Sequence, residues 1–417
     1  MMVKTFDFNK MPIADIVNDI IIDAVNKGAS DIHFDPHDEV LKIRIRVDGI
    51  LQNYADVPNL FKNNLITRIK IISGMNITET RLPQDGAIKQ VLNNLNLDMR
   101  VSSLPTKKGE KIVIRILDYS MSLKGIEYLY FNESNYQKIL KMINNPNGII
   151  LVTGATGSGK STTVYSFLQK LNVEGVNIIT VEDPVEMDIE GISQVQVNSD
   201  IGLDFSTVLR SILSQDPNVI MIGEIRDGET ARIAVRASIT GHLVLSTLHT
   251  NNSLNTIERL LDMDVERYLL ASALTGIVSQ KLARKLCPKC RVKRETTPYE
   301  KKLFKAVIGQ DVDFIYVAKG CPECSSGYRG RIAIHEVLLI NQDIRDAISD
   351  GIKKEKLREL VYNSDVITLL QDGLYKVVGG FTTFEEILKL IELDDEINDK
   401  SEALKNVAKE TFSNNIS

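Results

Sequence analysis

The nine residues GATGSGKST, from Gly154 to Thr162, constrain this chain more than any other stretch. Gly154, Gly159, Lys160 and Ser161 fit the spacing G-x-x-x-x-G-K-[ST], between the apolar run GIILVT and a helical stretch starting at Ser161. Strand, glycine-rich turn and helix in that order make a phosphate cradle. Glycines let backbone N–H groups wrap an anion, and the helix N-terminus adds positive potential. Gly154, Thr156, Gly157, Ser158, Gly159, Lys160, Ser161 and Thr162 are therefore the nucleotide-binding candidates. Lys160 reaches the outer phosphates and Ser161 can ligate magnesium, Mg2+. A glycine turn without a ligand is the competing reading, and the flanking strand and helix count against it.

Such a loop needs a sheet behind it. From Gly148 onward come short continuous apolar runs, GIILVTG, VNIITVED, NVIMIGE and HLVLSTLH, mostly separated by helical stretches. Runs of this kind suit strands covered on both faces, which predicts an α/β fold with a parallel sheet wound by helices. Ligands then sit beyond the carboxyl ends of the strands. Polar residues cluster there: Glu182, Asp183 and Glu186 in VEDPVE, and Glu224 closing NVIMIGE. Magnesium and an attacking water need such acids. His242 and His249 bracket LVLSTL; a lone histidine is more often structural, but the pair at the ends of one strand is read as sensing the γ-phosphate beside the phosphate site.

Length divides the rest. At 417 residues and about 150 per domain, roughly three domains are expected. An amphipathic helix over PIADIVNDIIIDAVNKG precedes the alternating segment VLKIRIRVDGILQNY, a half-buried hairpin turning at Asp48-Gly49 with a basic outer face. Further alternation carries Arg100 and Arg115 and closes a small α+β domain near Asp118. The boundaries read as 1–118 for that domain, 119–130 for a linker, 131–284 for the nucleotide core, 285–330 for a cysteine-bearing subdomain, 331–393 for a C-terminal helical region and 394–417 for a polar, frayed tail.

The four cysteines form two knuckles, CPKC at Cys287 and Cys290 and CPEC at Cys321 and Cys324. Four thiolates so arranged fit tetrahedral zinc, Zn2+, in a closed structural site. A redox pair is the alternative. A net charge of −5 offers no global field for nucleic acid or anionic lipid, and no run approaches about 20 apolar residues. The expectation is a cytoplasmic protein that contacts membrane only through partners and needs no nucleic acid.

Together the blocks resemble the type II secretion and type IV pilus assembly ATPase family, hexameric motors of bacterial envelopes. GATGSGKSTT resembles its Walker A box, ITVEDPVE its Asp box, LRSILSQDPNVIMIGEIRD its Walker B region and TGHLVLSTLHTN its His box, and ASDIHFDP, RLPQDG and MRVSSLP resemble its N-terminal domain. The likeness runs from about Ile13 to Leu390. It implies a RecA-like P-loop NTPase core, a PAS-like N-terminal domain, ATP as substrate, a homo-hexamer, and an inner-membrane platform protein as partner at the inner face of the cytoplasmic membrane. By that likeness Glu186 polarises the attacking water, Glu224 is the magnesium-associated Walker B acid, His242 and His249 are the His-box pair, Arg210 belongs to the nucleotide site, and Arg100 and Arg115 are arginine fingers. A guanidinium delivered late stabilises transition-state charge, although an arginine on a strand is by itself more often solvated or paired.

Ser214 and Asn218 in SQDPN, and Ala87 in RLPQDGAIK, depart from the family pattern and put some inter-domain and inter-subunit charge contacts in question. The further N-terminal docking domain of many family members is expected to be missing. Two other functions stay open at this point: a RecA-like nucleic-acid translocase, and a scaffold that senses ATP without hydrolysing it.

Overall fold

The structure, a computed structural model, describes residues 4–8, 10–92, 95–117 and 125–391. The tail 394–417 and the first half of the linker 119–130 lie outside the described residues. The chain divides into two compact units, 1–118 and 119–417.

The first unit is an antiparallel sheet of β1 (Ala29–Pro36), β2 (Val40–Val47), β3 (Ile50–Pro58), β4 (Gln84–Leu92), β5 (Leu95–Thr106) and β6 (Gly109–Leu117), in the order β3-β2-β1-β6-β5-β4. Period-two patterning decides which face is buried. In β2, Leu41, Ile43, Ile45 and Val47 point inward, while Lys42, Arg44 and Arg46 line the opposite face. Asp48 and Gly49 both adopt positive φ, the conformation that a two-residue hairpin turn requires. The helices Ile13–Asn26 and Asn59–Ile72 cover the apolar face, where Ile16, Ile20, Leu65 and Ile69 join the core.

The second unit is built on β7 (Gly148–Thr153), β8 (Ile178–Glu182), β9 (Ser193–Gln196), β10 (Val219–Ile222), β11 (Leu243–Leu248) and β12 (Leu274–Leu286), with β13 (Val292–Glu295) and β14 (Phe314–Val317) as a separate hairpin and β15 (Tyr328–Leu339) at the sheet edge. The order is β15-β12-β7-β11-β10-β8-β9, parallel except for β15 against β12. Every residue of β7 is buried. Ile149 and Leu151 enter one core and Ile150 and Val152 another, so helices cover both faces and the run has no polar side to show.

The stretch 331–393, helical by its sequence pattern, opens instead in β15, which pairs with β12 from Gly276↔Leu339 to Leu286↔Tyr328. Its partner lies about 50 residues earlier, and an apolar run such as IAIHEVLL does not by itself distinguish strand from helix. Helices follow at Gln342–Asp350, Lys354–Tyr362, Leu369–Val378 and Phe384–Leu390. The third of these is closed by a capping box between Thr368 and Gln371. It is also tied to the start of the second unit, because Asp372 accepts a hydrogen bond from Asn132 at 3.0 Å and pairs with the buried Lys376.

Candidate functional site

At the carboxyl end of β7 the chain turns through Gly154 to Gly159 and enters the helix Lys160–Leu171. Gly154 is forced: its φ is +149°, and a Cβ there would stand 2.4 Å from the Gln280 carbonyl oxygen and 2.5 Å from Ser158 Oγ. Gly157 and Gly159 also take positive φ, the latter as the residue that opens the helix. Thr156 and Gly157 are exposed, Ser158 is buried, and Ser161 and Thr162 occupy the first helical turn. Lys160 is buried, and its ammonium donates to the carbonyls of Gly154 and Ala155 at 2.9 and 3.2 Å. Burial pulls that ammonium below the usual lysine range against the opposing charge of Glu224.

The acids gather at the same end of the sheet. Glu224 follows β10 and accepts from Arg226 and, at 3.2 Å, from His249 Nε2, just beyond β11. Burial alone would raise the Glu224 carboxyl; the bond and charge of Arg226, with a smaller contribution from His249, hold it below the usual range. Arg226 also lies 3.5 Å from Asp183 and so bridges the ends of β10 and β8. Glu186 stands in the loop after β8, its backbone N–H donating to the Tyr165 hydroxyl at 3.2 Å. A serine hydroxyl on the first helical turn and a strand-end carboxylate are the hard oxygen donors that magnesium takes.

The two histidines bracket β11, as the run LVLSTL implies, and only one of them stands at the phosphate end. Leu243 pairs with Gly148 and Leu248 with Thr153, so His249 follows the phosphate end of β11 and His242 precedes the opposite end, about 20 Å away at 3.3 Å per residue. The His242 ring is engaged there with the Ala237 carbonyl, Nδ1 to O at 2.9 Å. Arg210, on the helix Phe205–Ile212, pairs with Glu229. Asn218 accepts the Asn177 N–H at 2.7 Å, and Ser214 follows that helix directly.

In the first unit a single row crosses five strands: Ala87, Arg100, Arg115, Asp31 and Arg46 are successive direct neighbours. Two arginines opposite one another repel. The buried Asp31 compensates, accepting Arg115 Nε at 3.1 Å and lying 3.6 Å from Arg46 Nε. The Arg115 side chain remains 64% exposed, so its terminal nitrogens are presented while its inner one is anchored.

The four sulfurs of Cys287, Cys290, Cys321 and Cys324 lie within 4.8 Å of one another, with separations of 3.9 Å for Cys287–Cys321, 3.7 Å for Cys290–Cys324 and 3.6 Å for Cys321–Cys324. A tetrahedron with Zn–S bonds of about 2.3 Å has edges of about 3.8 Å, so the set fits zinc. Lys289 and Glu323 pair across the two knuckles at 2.5 Å.

Several residues of the site carry no motif. Gln280 in β12 donates to the Ser158 carbonyl at 2.6 Å and accepts from Thr163 at 2.7 Å, clamping the phosphate loop to its helix. Glu336 in β15 accepts the Ser253 N–H at 3.0 Å. Both belong to strands, β12 and β15, that no sequence motif marks, and Arg226 follows Glu224 in NVIMIGEIRD without a motif role of its own. A cavity of about 360 Å³ beside the loop is lined by Ala155, Ser158, Leu282, Glu336, Tyr362 and Ile391.

Comparison with known proteins gives a consistent result. The family model described as "Type II/IV secretion system protein" matches residues 7–389. The type II secretion system protein E of Pectobacterium carotovorum subsp. carotovorum is 45% identical over 382 residues, spanning 91% of this chain and 76% of that protein. The type IV pilus assembly ATPase PilB of Thermus thermophilus is 42% identical over 374 residues, 89% of this chain but 42% of the longer relative. Among solved structures, the pilus retraction motor PilT with bound ADP superposes with a TM-score of 0.62 at 25% identity, covering 91% of this chain and 98% of that one.

Proposed function

Because this chain belongs to the Type II/IV secretion system protein family, we propose that it is a hexameric, magnesium-dependent ATPase that drives an inner-membrane platform protein and so powers assembly of a type IV pilus or a secretion pseudopilus. It hydrolyses ATP, the activity carried in the names of its pilus-assembly and secretion relatives. The observation that carries this reading is the convergence, beyond the carboxyl ends of β7, β8, β10 and β11, of a phosphate loop with Lys160, Glu224, Arg226 and His249.

The chemistry follows from the residues. Lys160, now bonded to two loop carbonyls, exchanges them for the outer phosphate oxygens, and the loop N–H groups of 157–161 cradle the rest. Ser161 and Glu224 would hold magnesium, which when bound would supply positive charge against the phosphates. Glu186 orients and polarises the attacking water, and His249 relays the state of the γ-phosphate to Glu224. Arg210 belongs to the nucleotide site, and His242 stands before the end of β11 opposite the phosphate loop. Arg100 and Arg115 act as arginine fingers. The cavity beside the loop takes the nucleoside.

Zinc, when bound by the four thiolates, cross-links the two knuckles and takes no part in catalysis, since a closed four-sulfur set leaves no ligand position. Among the described residues no helix is long and apolar enough to cross a membrane. Attachment to the inner face of the cytoplasmic membrane therefore runs through the platform protein, with no role for nucleic acid.

Phosphate release from the purified chain with magnesium and ATP tests the chemistry. Turnover in the wild type and none in Glu186→Gln, with nucleotide affinity kept, supports it; no release from an assembled hexamer favours the sensing scaffold. Lys160→Ala in the native host then identifies the machine: loss of surface filaments means pilus extension, and intact filaments with lost secretion or DNA uptake mean a pseudopilus.

A further inference from the structure

Glu182, the last residue of β8, is 2% exposed. A carboxylate taken so far from water must be met by donors. Its Oε1 accepts from Thr180 Oγ1 at 2.5 Å and from Gln194 Nε2 at 3.1 Å, and its Oε2 accepts from the Tyr165 phenol. The phenol proton is thereby committed to Glu182, and only the lone pairs of the phenol oxygen remain. The Glu186 N–H donates to that oxygen at 3.2 Å. Burial, followed by the charge of Glu182, pushes the Tyr165 phenol far above its usual range, which keeps it a donor across the working pH span.

Tyr165 lies on the helix Lys160–Leu171, four residues after Ser161 and therefore on the same face one turn further in. The helix whose first turn meets the phosphates thus carries, on its second turn, the group that fixes the backbone of Glu186. Further along the Glu186 loop, Gln194, itself bonded to Glu182, accepts the Ile189 N–H at 2.7 Å and donates to the Met187 carbonyl at 2.9 Å.

We propose that Tyr165 is a positioning residue for ATP hydrolysis, locked by Glu182 on one side and holding the Glu186 amide on the other, so that the phosphate-binding helix sets the place of the Glu186 carboxylate. This rests on the reading of Glu186 as the acid that polarises the attacking water.

The test uses the full chain in its assembled form, comparing wild type, Tyr165→Phe, Glu182→Gln and Glu186→Gln. Tyr165→Phe retains the ring and removes the shared oxygen. Its kcat falls about 10-fold to 100-fold, the scale of a catalytic group displaced by about 1 Å. Its KM for ATP and its affinity for ADP stay within about twofold, because the loop and Lys160 are untouched. Deuterium exchange accelerates at the Glu186 amide and at the adjacent Met187 amide, which also bonds the phenol oxygen, while the amides of 188–192 keep their rates. Glu182→Gln, whose amide oxygen can still receive the phenol proton, loses less turnover than Tyr165→Phe; should the latter fold poorly, an exchange rise in Glu182→Gln that is larger at Glu186 and Met187 than at 188–192 carries the test.

A Tyr165→Phe enzyme with wild-type kcat beside an inactive Glu186→Gln overturns the inference. So does an exchange increase spread over the whole loop with affinity lost in proportion, the mark of a structural role. An active Glu186→Gln removes the underlying reading and this inference with it, and it is distinguished because the exchange effect of Tyr165→Phe persists without a change in turnover.

Discussion

The cysteine cluster and the phosphate site both collect charged or chargeable groups that fit a small ion, but they are closed in opposite ways. Four sulfurs from two short knuckles lie within 4.8 Å of one another, the spacing of a tetrahedral set that leaves no ligand position open. The phosphate site draws on the ends of β7, β8, β10 and β11, and its cations and acids neutralise one another across them: Lys160 on loop carbonyls, Arg226 between Glu224 and Asp183, His249 on Glu224. A filled coordination shell makes a staple. An arrangement of exchangeable contacts makes a place where a substrate can arrive and leave.

That contrast breaks most sharply at Lys160. Lys160→Ala lowers turnover on the order of a thousandfold, the scale of removing a preorganised donor from developing charge. The zinc content stays at one per chain, measured by metal analysis of the same preparation, together with an unchanged melting temperature. A parallel loss of zinc in Lys160→Ala would make the two sites one cooperative unit and erase the distinction.

The converse variant is Cys290→Ser. One ligand lost from a closed set removes the metal, and the melting temperature of the full chain falls by about 5 °C or more, while fluorescent nucleotide binding at the phosphate loop keeps its affinity. Retention of zinc after that change would show that three thiolates suffice and that the fourth serves another purpose.

A smaller effect is expected from the charged row of the first unit. Asp31→Asn keeps the size and one acceptor oxygen but removes the charge that anchors Arg115 Nε and separates Arg115 from Arg46. Turnover falls about tenfold and KM is little changed, provided Arg115 acts on the transition state. Measured beside Arg115→Ala, the double variant should be no worse than Arg115→Ala alone. Additive losses would mean that Asp31 supports the sheet and not the arginine.

What the sequence made legible follows the same division between local and distant. The phosphate loop and the cysteine knuckles are written in contiguous residues, and β2 announces its buried face by strict alternation. The clamp on the loop was not legible, because Gln280 reaches Ser158 and Thr163 across more than a hundred residues, from a strand whose own partner, β15, comes later still. The bracketing of one strand by His242 and His249 was legible, but a shared sensing role overlooks that opposite ends of a six-residue strand are far apart and only the carboxyl end carries the loop.

The finest test lies in the pH dependence of the open site. The Glu224 carboxyl is held below its usual value, Arg226 and His249 outweighing the burial that opposes them. A group with a depressed folded pKa contributes stability above its unfolded pKa of about 4.5 and loses it as pH falls through the lower folded value. Arg226→Leu removes the principal lowering contact and leaves the burial, so the folded pKa of Glu224 moves upward. The acid limb of unfolding therefore begins at higher pH than in wild type, by a fraction of a pH unit for a partly exposed pair. The alkaline limb and the zinc content do not move. An unchanged acid limb in Arg226→Leu would mean that Asp183 and Glu224 find another cation, and the charge balance at the carboxyl ends would be shared more widely than the Arg226 bridge alone.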